Sequence, residues 1–183
     1  MNRRKVIAIS GSTRESSINL SLIKAIIGLS RDTLDITIFE GLSNLPHFNP
    51  DLDTDTPPQN IVDFRQQLKA ADGILICTPE YAMGVPGTLK NAIDWTVSSC
   101  EFSRKPVALI TASSVGEKGH RSLLETLKVI ESDMPDDSQL LISFVKTKVN
   151  NDGEIINLYT LERVKALVIS LINTIEKKSE LPQ

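Results

Sequence analysis

Val6-Ile-Ala-Ile-Ser10 is the first uninterrupted apolar run of the chain, and Gly73–Thr78 and Val107–Thr111 repeat it. Short apolar runs of this kind predict strands covered on both faces, as in parallel sheets. Leu34–Glu40 alternates and predicts a second strand, and Leu140–Val149 predicts a fifth. Between the strands, apolar residues recur at three- and four-residue steps, the spacing that gives a helix one buried stripe. Asn19–Leu29 carries Leu22, Ile23, Ile26 and Ile27, and Gln59–Ala71 carries Ile61, Phe64, Leu68 and Ala71. A third helix starts at Pro86 or Gly87 and runs to Cys100 through Leu89, Ala92, Ile93 and Val97. Gly119–Met134 carries Leu123, Leu127 and Ile130, and Thr160–Lys177 carries Leu161, Val164, Val168, Leu171 and Ile175. Strands alternating with helices predict a doubly wound α/β sheet. Residues 41–58 show neither period, and a long irregular stretch in a compact domain is functional or mobile, which makes it a flap candidate.

Length and composition narrow this picture. At 183 residues without internal repeats, the chain is expected to form one domain over residues 1–183. Its net charge of -3, with lysines and arginines scattered, excludes a nucleic-acid surface, which needs a basic stripe. The basic start Met1–Lys5 precedes an apolar run of only Val6–Ile9, too short for a signal peptide or a spanning helix. Two cysteines form no disulfide framework, so a cytoplasmic protein without membrane contact is expected.

The chemistry gathers in three loops that follow strands one, three and four. The first, Ser10–Asn19, brings a glycine, hydroxyls, an Asn and Arg14 to the start of a helix. Backbone N–H groups, hydroxyls and a guanidinium there form an anion site, although a serine-capped helix reads the same way. No Walker lysine follows, and none of the nine glycines builds a G-x-G-x-x-G fingerprint. The second loop, residues 79–87, is shaped by Pro79, Gly84, Pro86 and Gly87, and its Tyr81 has no periodicity to bury it. The third, Ala112–Gly119, can bring backbone N–H groups close to a ligand edge. Loops at one edge of an open α/β sheet surround a crevice at the topological switch point.

Other chemical candidates are plain. His47 and His120 lack partners at ligand spacing and read as surface residues, and no metal site is expected. Asp51–Asp55 lacks the glycine and terminal Glu of a calcium loop and reads as solvated loop. Cys77 reads as a strand core residue. Trp95 falls off its helix stripe and either packs within the fold, covers a subunit interface or covers the site.

Gly11-Ser-Thr-Arg-Glu-Ser-Ser-Ile-Asn19, Pro79-Glu-Tyr-Ala-Met-Gly-Val-Pro-Gly-Thr-Leu-Lys-Asn-Ala-Ile-Asp-Trp95 and Ser113-Ser-Val-Gly-Glu-Lys-Gly-His-Arg121 resemble, in order and separation, the NAD(P)H-dependent FMN reductases that include chromate, quinone and azo-dye reductases. The resemblance implies a flavodoxin-like five-stranded parallel sheet of order 2-1-3-4-5, bound FMN and a homodimer or homotetramer. It implies that Ser12, Arg14, Ser17, Ile18 and Asn19 hold the FMN phosphate end, that Pro79, Glu80, Tyr81 and Ala82 line the isoalloxazine, and that Ser113 and Gly116 face its pyrimidine side. Where the family usually has Asn after Pro-Glu-Tyr this chain has Ala82, and where it has a second Gly after Gly119 this chain has His120. A nicotinamide would pass a hydride to flavin N5, with N–H groups of the third loop meeting the charge, so no catalytic acid or base is expected. The implied activity is an NAD(P)H-dependent reductase of quinones, azo or nitro compounds, chromate or free flavin. The alternative is a flavodoxin-type electron carrier without nicotinamide turnover. Carriers of that type lack an Arg in the phosphate loop and cover the flavin with two aromatics, whereas Tyr81 is the only aromatic in these three loops.

Overall fold

The computed structural model describes residues 3–150 and 152–180, so Met1 and Asn2 of the basic start lie outside the described residues. Five strands, β1 (Arg4–Ser10), β2 (Leu34–Ile38), β3 (Gly73–Thr78), β4 (Val107–Ala112) and β5 (Gln139–Ile142), form one sheet in the order β2-β1-β3-β4-β5. Every pairing is parallel, with Ser10 beside Cys77, Thr78 beside Thr111 and Ala112 beside Ile142. The chain therefore leaves β1, β3, β4 and β5 at one edge of the sheet.

Among the described residues, five α-helices cover the two faces: α1 (Ile18–Ser30), α2 (Gln59–Ala70), α3 (Gly87–Asp94), α4 (Glu117–Val129) and α5 (Leu158–Glu180). Alternate strand residues feed separate cores. Val6 and Ala8 pack with Leu22, Ile23 and Ile26 of α1 and with Val164, Leu167 and Leu171 of α5. Ile7 and Ile9 pack instead with Ile61, Phe64 and Leu68 of α2, with Leu89 and Ile93 of α3, and with Leu123 and Leu127 of α4. Every residue of β3 and β4 is buried, as their unbroken apolar runs require. Cys77 lies at the centre of β3, and its desolvation pushes the thiol pKa far above the ordinary value.

The third helix ends at Asp94, six residues before its apolar spacing stops, and Val97 and Cys100 are exposed. Competing donors capture the carbonyls that would extend it. Arg65 Nε donates to Trp95 O at 2.8 Å, and Thr96 Oγ1 and N both donate to Ile93 O. Cys100 then takes a left-handed φ of 59°. Trp95 is wholly buried, with its Nε1–H donating to Pro46 O at 2.8 Å and its ring edge-on to Phe48. It packs within the fold and offers nothing to a subunit interface.

The stretch 41–58 is anchored, contrary to the flap expectation. Two short 3-10 turns, Leu42–Asn44 and Pro50–Leu52, shape it, and Asn91 holds it by donating to Pro46 O and accepting from Phe48 N. Asp53, expected in solvated loop, is enclosed: its Oδ1 lies 2.7 Å from Arg65 Nη2 and its Oδ2 accepts from Ser98 Oγ at 2.6 Å. Arg65 Nη2 also donates to Trp95 O, so one buried guanidinium joins α2, the irregular stretch and the tail of α3. None of these residues lines the crevice described below.

The predicted fifth strand is also cut short. β5 stops at Ile142, Phe144 takes a left-handed φ of 52°, and residues 145–147 form a 3-10 turn.

Candidate active site

The loops at the carboxyl edge of the sheet enclose an open crevice of about 810 Å³. Of the residues expected there, Ser12, Arg14, Ser17, Ile18, Asn19, Pro79, Glu80, Tyr81 and Ser113 line it, and Ala82 and Gly116 do not.

One end is built to hold an anion. Ser17 is the N-cap of α1 but its hydroxyl makes no capping bond, and no acid occupies the first turn. A helix begins with N–H groups that have no intrahelical acceptor, so these amides and the helix dipole are left for a ligand. Ser12 and Ser17 are buried, while Arg14 is exposed and enters no ion pair among the described residues. Asn19 is 4% exposed; its Nδ2 donates to Ala112 O at 3.2 Å, and its buried Oδ1 has no partner among the described residues. A buried acceptor without a donor costs about 1–3 kcal/mol, which a ligand hydroxyl or N–H at this position relieves.

The opposite wall is the turn after β3. Tyr81 and Gly84 exchange both backbone hydrogen bonds, at 3.1 and 2.9 Å, around Ala82 and Met83, whose φ values are 48° and 60°. Two left-handed residues make this a type I′ hairpin turn, in which Asn and Gly are favoured. The consequence of Ala82 is therefore mainly in the backbone, because alanine there costs about 1 to 2 kcal/mol relative to a residue that tolerates the conformation. Tyr81 remains half exposed over the crevice, with its hydroxyl 3.3 Å from Ser12 Oγ.

Glu80 lines the crevice and also makes a second contact. Its carboxylate accepts from Gly119 N at 2.6 Å and from Gly116 N at 3.3 Å, so it is the anion that caps α4. Gly119 permits this approach, since a Cβ there would lie 3.1 Å from Glu80 Cγ and 3.0 Å from Gly84 O. Gly116, at φ 89°, sits in the left-handed N-cap position that turns its N–H to Glu80. Ser113 N is also engaged, donating to Ile142 O at 3.1 Å. The N–H groups of Ser114 and Val115 have no acceptor among the described residues, and of the two Ser114 lines the crevice.

His120 is half buried rather than a surface residue, and its Nδ1 lies 2.8 Å from Thr111 Oγ1. Burial lowers its pKa below the ordinary imidazole value, so it stays neutral at pH 7. A fourth loop, unforeseen in the sequence, completes the crevice with Phe144, Val145, Lys146 and Thr147. The only signal for it was the apolar Leu140–Val149 run, which reads more simply as a strand.

Comparison with known proteins agrees with this architecture. The chain is 33% identical to an NAD(P)H-dependent FMN reductase of Pseudomonas aeruginosa, over 84% of this chain and 85% of the relative. It is 30% identical to an NADPH:quinone oxidoreductase of Arabidopsis thaliana, over 91% of this chain and 89% of that protein. Among solved structures it is similar to the flavoenzyme NAD(P)H:(acceptor) oxidoreductase FerB of Paracoccus denitrificans, with a TM-score of 0.83 and 27% identity, covering 95% of this chain and 98% of the other. The profile described as NADPH-dependent FMN reductase matches residues 4–139, and on that match the chain belongs to the NADPH-dependent FMN reductase family.

Proposed function

We propose that the protein is an FMN-dependent reductase that draws reducing equivalents from NAD(P)H and delivers them to a quinone-type acceptor. The observation that carries this reading is the uncapped N-terminus of α1 beside the unpartnered Asn19 Oδ1, facing one crevice with Tyr81 and Ser113. These donors and acceptors fit FMN, a flat ring on a polyhydroxyl chain that ends in a phosphate. In this reading Ser12, Ser17, Arg14 and the first N–H groups of α1 hold the phosphate, and Asn19 Oδ1 accepts from the ribityl chain. Pro79, Glu80 and Tyr81 wall the ring through their backbone and the phenol, and Ser113 and Ser114 border its other edge. Ala82 and Gly116 act indirectly, by shaping the turn after β3 and by capping α4 with Glu80.

FMN, when bound, supplies the two-electron chemistry between the nicotinamide and the acceptor. The chain's part is placement and electrostatics: Ser114 N–H is the preorganised donor on the crevice, and neutral His120 adds no competing charge. Donor and acceptor share a single opening, so they bind in turn. Parallel lines in double-reciprocal plots are expected, with bleaching of the visible flavin band by either nicotinamide under anaerobic conditions. No bleaching would favour the electron-carrier alternative, to which Phe144 lends a second aromatic beside Tyr81. Intersecting lines would keep the reductase and replace binding in turn by a ternary complex.

The reading extends to a cytoplasmic homodimer or homotetramer. Free Cys77 and Cys100 support a reducing compartment, and no described helix is long and apolar enough to cross a membrane. Exposed Tyr81, Met83, Val115 and Phe144 on the crevice loops offer apolar surface to a second copy. Sedimentation at micromolar concentration should give a dimer or larger, and a monomer would remove this part of the proposal.

A further inference from the structure

The turn after β5 lies beyond the residues 4–139 that match the family, yet it forms part of the crevice. Phe144 holds a left-handed φ of 52°, a conformation that is strained for a bulky residue and persists only when its surroundings enforce it. The loop after β4 enforces it. Phe144 N donates to Ser114 O at 3.0 Å, Val145 N to Ser113 O at 3.1 Å, and Ser143 Oγ to Val115 O at 2.7 Å. Val145 is buried in the core on the α1 and α5 side of the sheet, so the turn is fixed on both flanks. The next loop packs on α1 as well, since a Cβ at Gly153 would lie 2.9 Å from Ser21 Cβ.

This construction sets Lys146 on the wall of the same crevice as Arg14, Ser16, Ser17 and Ser21. Lys146 is exposed and enters no ion pair among the described residues. Among the described residues the one acid lining the crevice is Glu80, and its carboxylate is engaged by α4. Asp152 and Glu154 follow in the chain but do not line the crevice, and Glu154 Oε2 accepts from Asn150 Nδ2. A phosphate monoester carries between one and two negative charges near neutral pH, and Arg14 supplies only one positive charge. The α1 N-terminus supplies a further partial positive charge.

We propose that Lys146 is a second phosphate-pairing cation of the cofactor site, presented by a turn that the loop after β4 holds in place. The proposal rests on the reading of the crevice as an FMN site, and the test separates the two. Apoprotein is titrated with FMN and with riboflavin, which has the same ring and ribityl chain but no phosphate. Lys146→Gln should raise the FMN dissociation constant about fivefold to tenfold and leave riboflavin within twofold, because only the phosphate contact is lost. Lys146→Arg should stay close to the parent. Unchanged riboflavin binding also shows that the variant is folded. FMN affinity within twofold of the parent in Lys146→Gln would overturn the proposal, including the case in which only the KM for NADPH rises and Lys146 serves the nicotinamide donor. Equal weakening of FMN and riboflavin would overturn it too, giving Lys146 a structural role. Failure of the parent protein to bind either flavin would instead overturn the function on which the proposal rests.

Discussion

Arg14→Ala should raise the FMN dissociation constant about tenfold to hundredfold, the equivalent of losing a charge-assisted contact of about 1.5 to 3 kcal/mol. The sheet should be untouched, because Arg14 is exposed and its guanidinium has no partner within the described residues. Its main chain is what the loop uses, with Arg14 N 3.4 Å from Ser12 Oγ. Arg14→Lys should recover part of the loss, since the charge survives while the planar fork does not. Fluorescence titration of apoprotein measures both variants. A solvated arginine without a ligand role would change affinity by less than about 0.5 kcal/mol, and that outcome would remove the phosphate end from the crevice.

Arg65→Met should be the most destabilising of the substitutions considered, by about 3 to 5 kcal/mol, because it leaves a largely enclosed carboxylate without its partner and Trp95 O without its donor. The Arg65 and Asp53 side chains are 11% and 10% exposed, and the same guanidinium satisfies Trp95 O. For a chain of this size the loss corresponds to a fall in Tm of roughly 6 to 20 °C. FMN affinity of the folded fraction should be unchanged, since the clamp does not line the crevice. A large loss of affinity with little change in Tm would restore the flap reading of residues 41–58. Acid provides a second check. Burial acts to raise the Asp53 pKa, but the Ser98 hydroxyl, the Arg65 hydrogen bond and the Arg65 charge outweigh it, and the carboxyl sits below its ordinary value of 3.8. A carboxyl depressed by folding stabilises above the ordinary carboxylate range, and that stability is lost as pH falls through the folded value. The gap between parent and Arg65→Met should therefore narrow in acid, as the unpaired carboxyl of the variant takes up a proton.

The parts of the fold that were legible in the sequence are those where burial alone decides conformation. β3 and β4 lie inside the sheet with both faces covered, so their apolar runs allow no competing period. The crevice end of α1 was legible because hydroxyls, Arg14 and Asn19 are local in sequence. The end of α3 was hidden because its cause is remote: Arg65, thirty residues upstream, takes the carbonyl of Trp95. Val97 and Cys100 keep helical spacing and still face water. Similarly, Phe144 and Val145 continue a strand-like pattern, yet carbonyls of Ser113 and Ser114 draw their N–H groups out of the sheet. Glu80 could be placed in the crevice from its motif, but its engagement by α4 depends on the close approach at Gly119.

The burial of Cys77 makes the centre of the sheet measurable. Cys100 is exposed and should react with a thiol reagent at once, whereas Cys77 reacts only when β3 separates from β1 and β4. Its labelling rate in native buffer thus reports the free energy of opening the strand from which Pro79–Tyr81 emerge. Followed with and without flavin, that rate would show how far a ligand at the edge of the sheet tightens the strands beneath it.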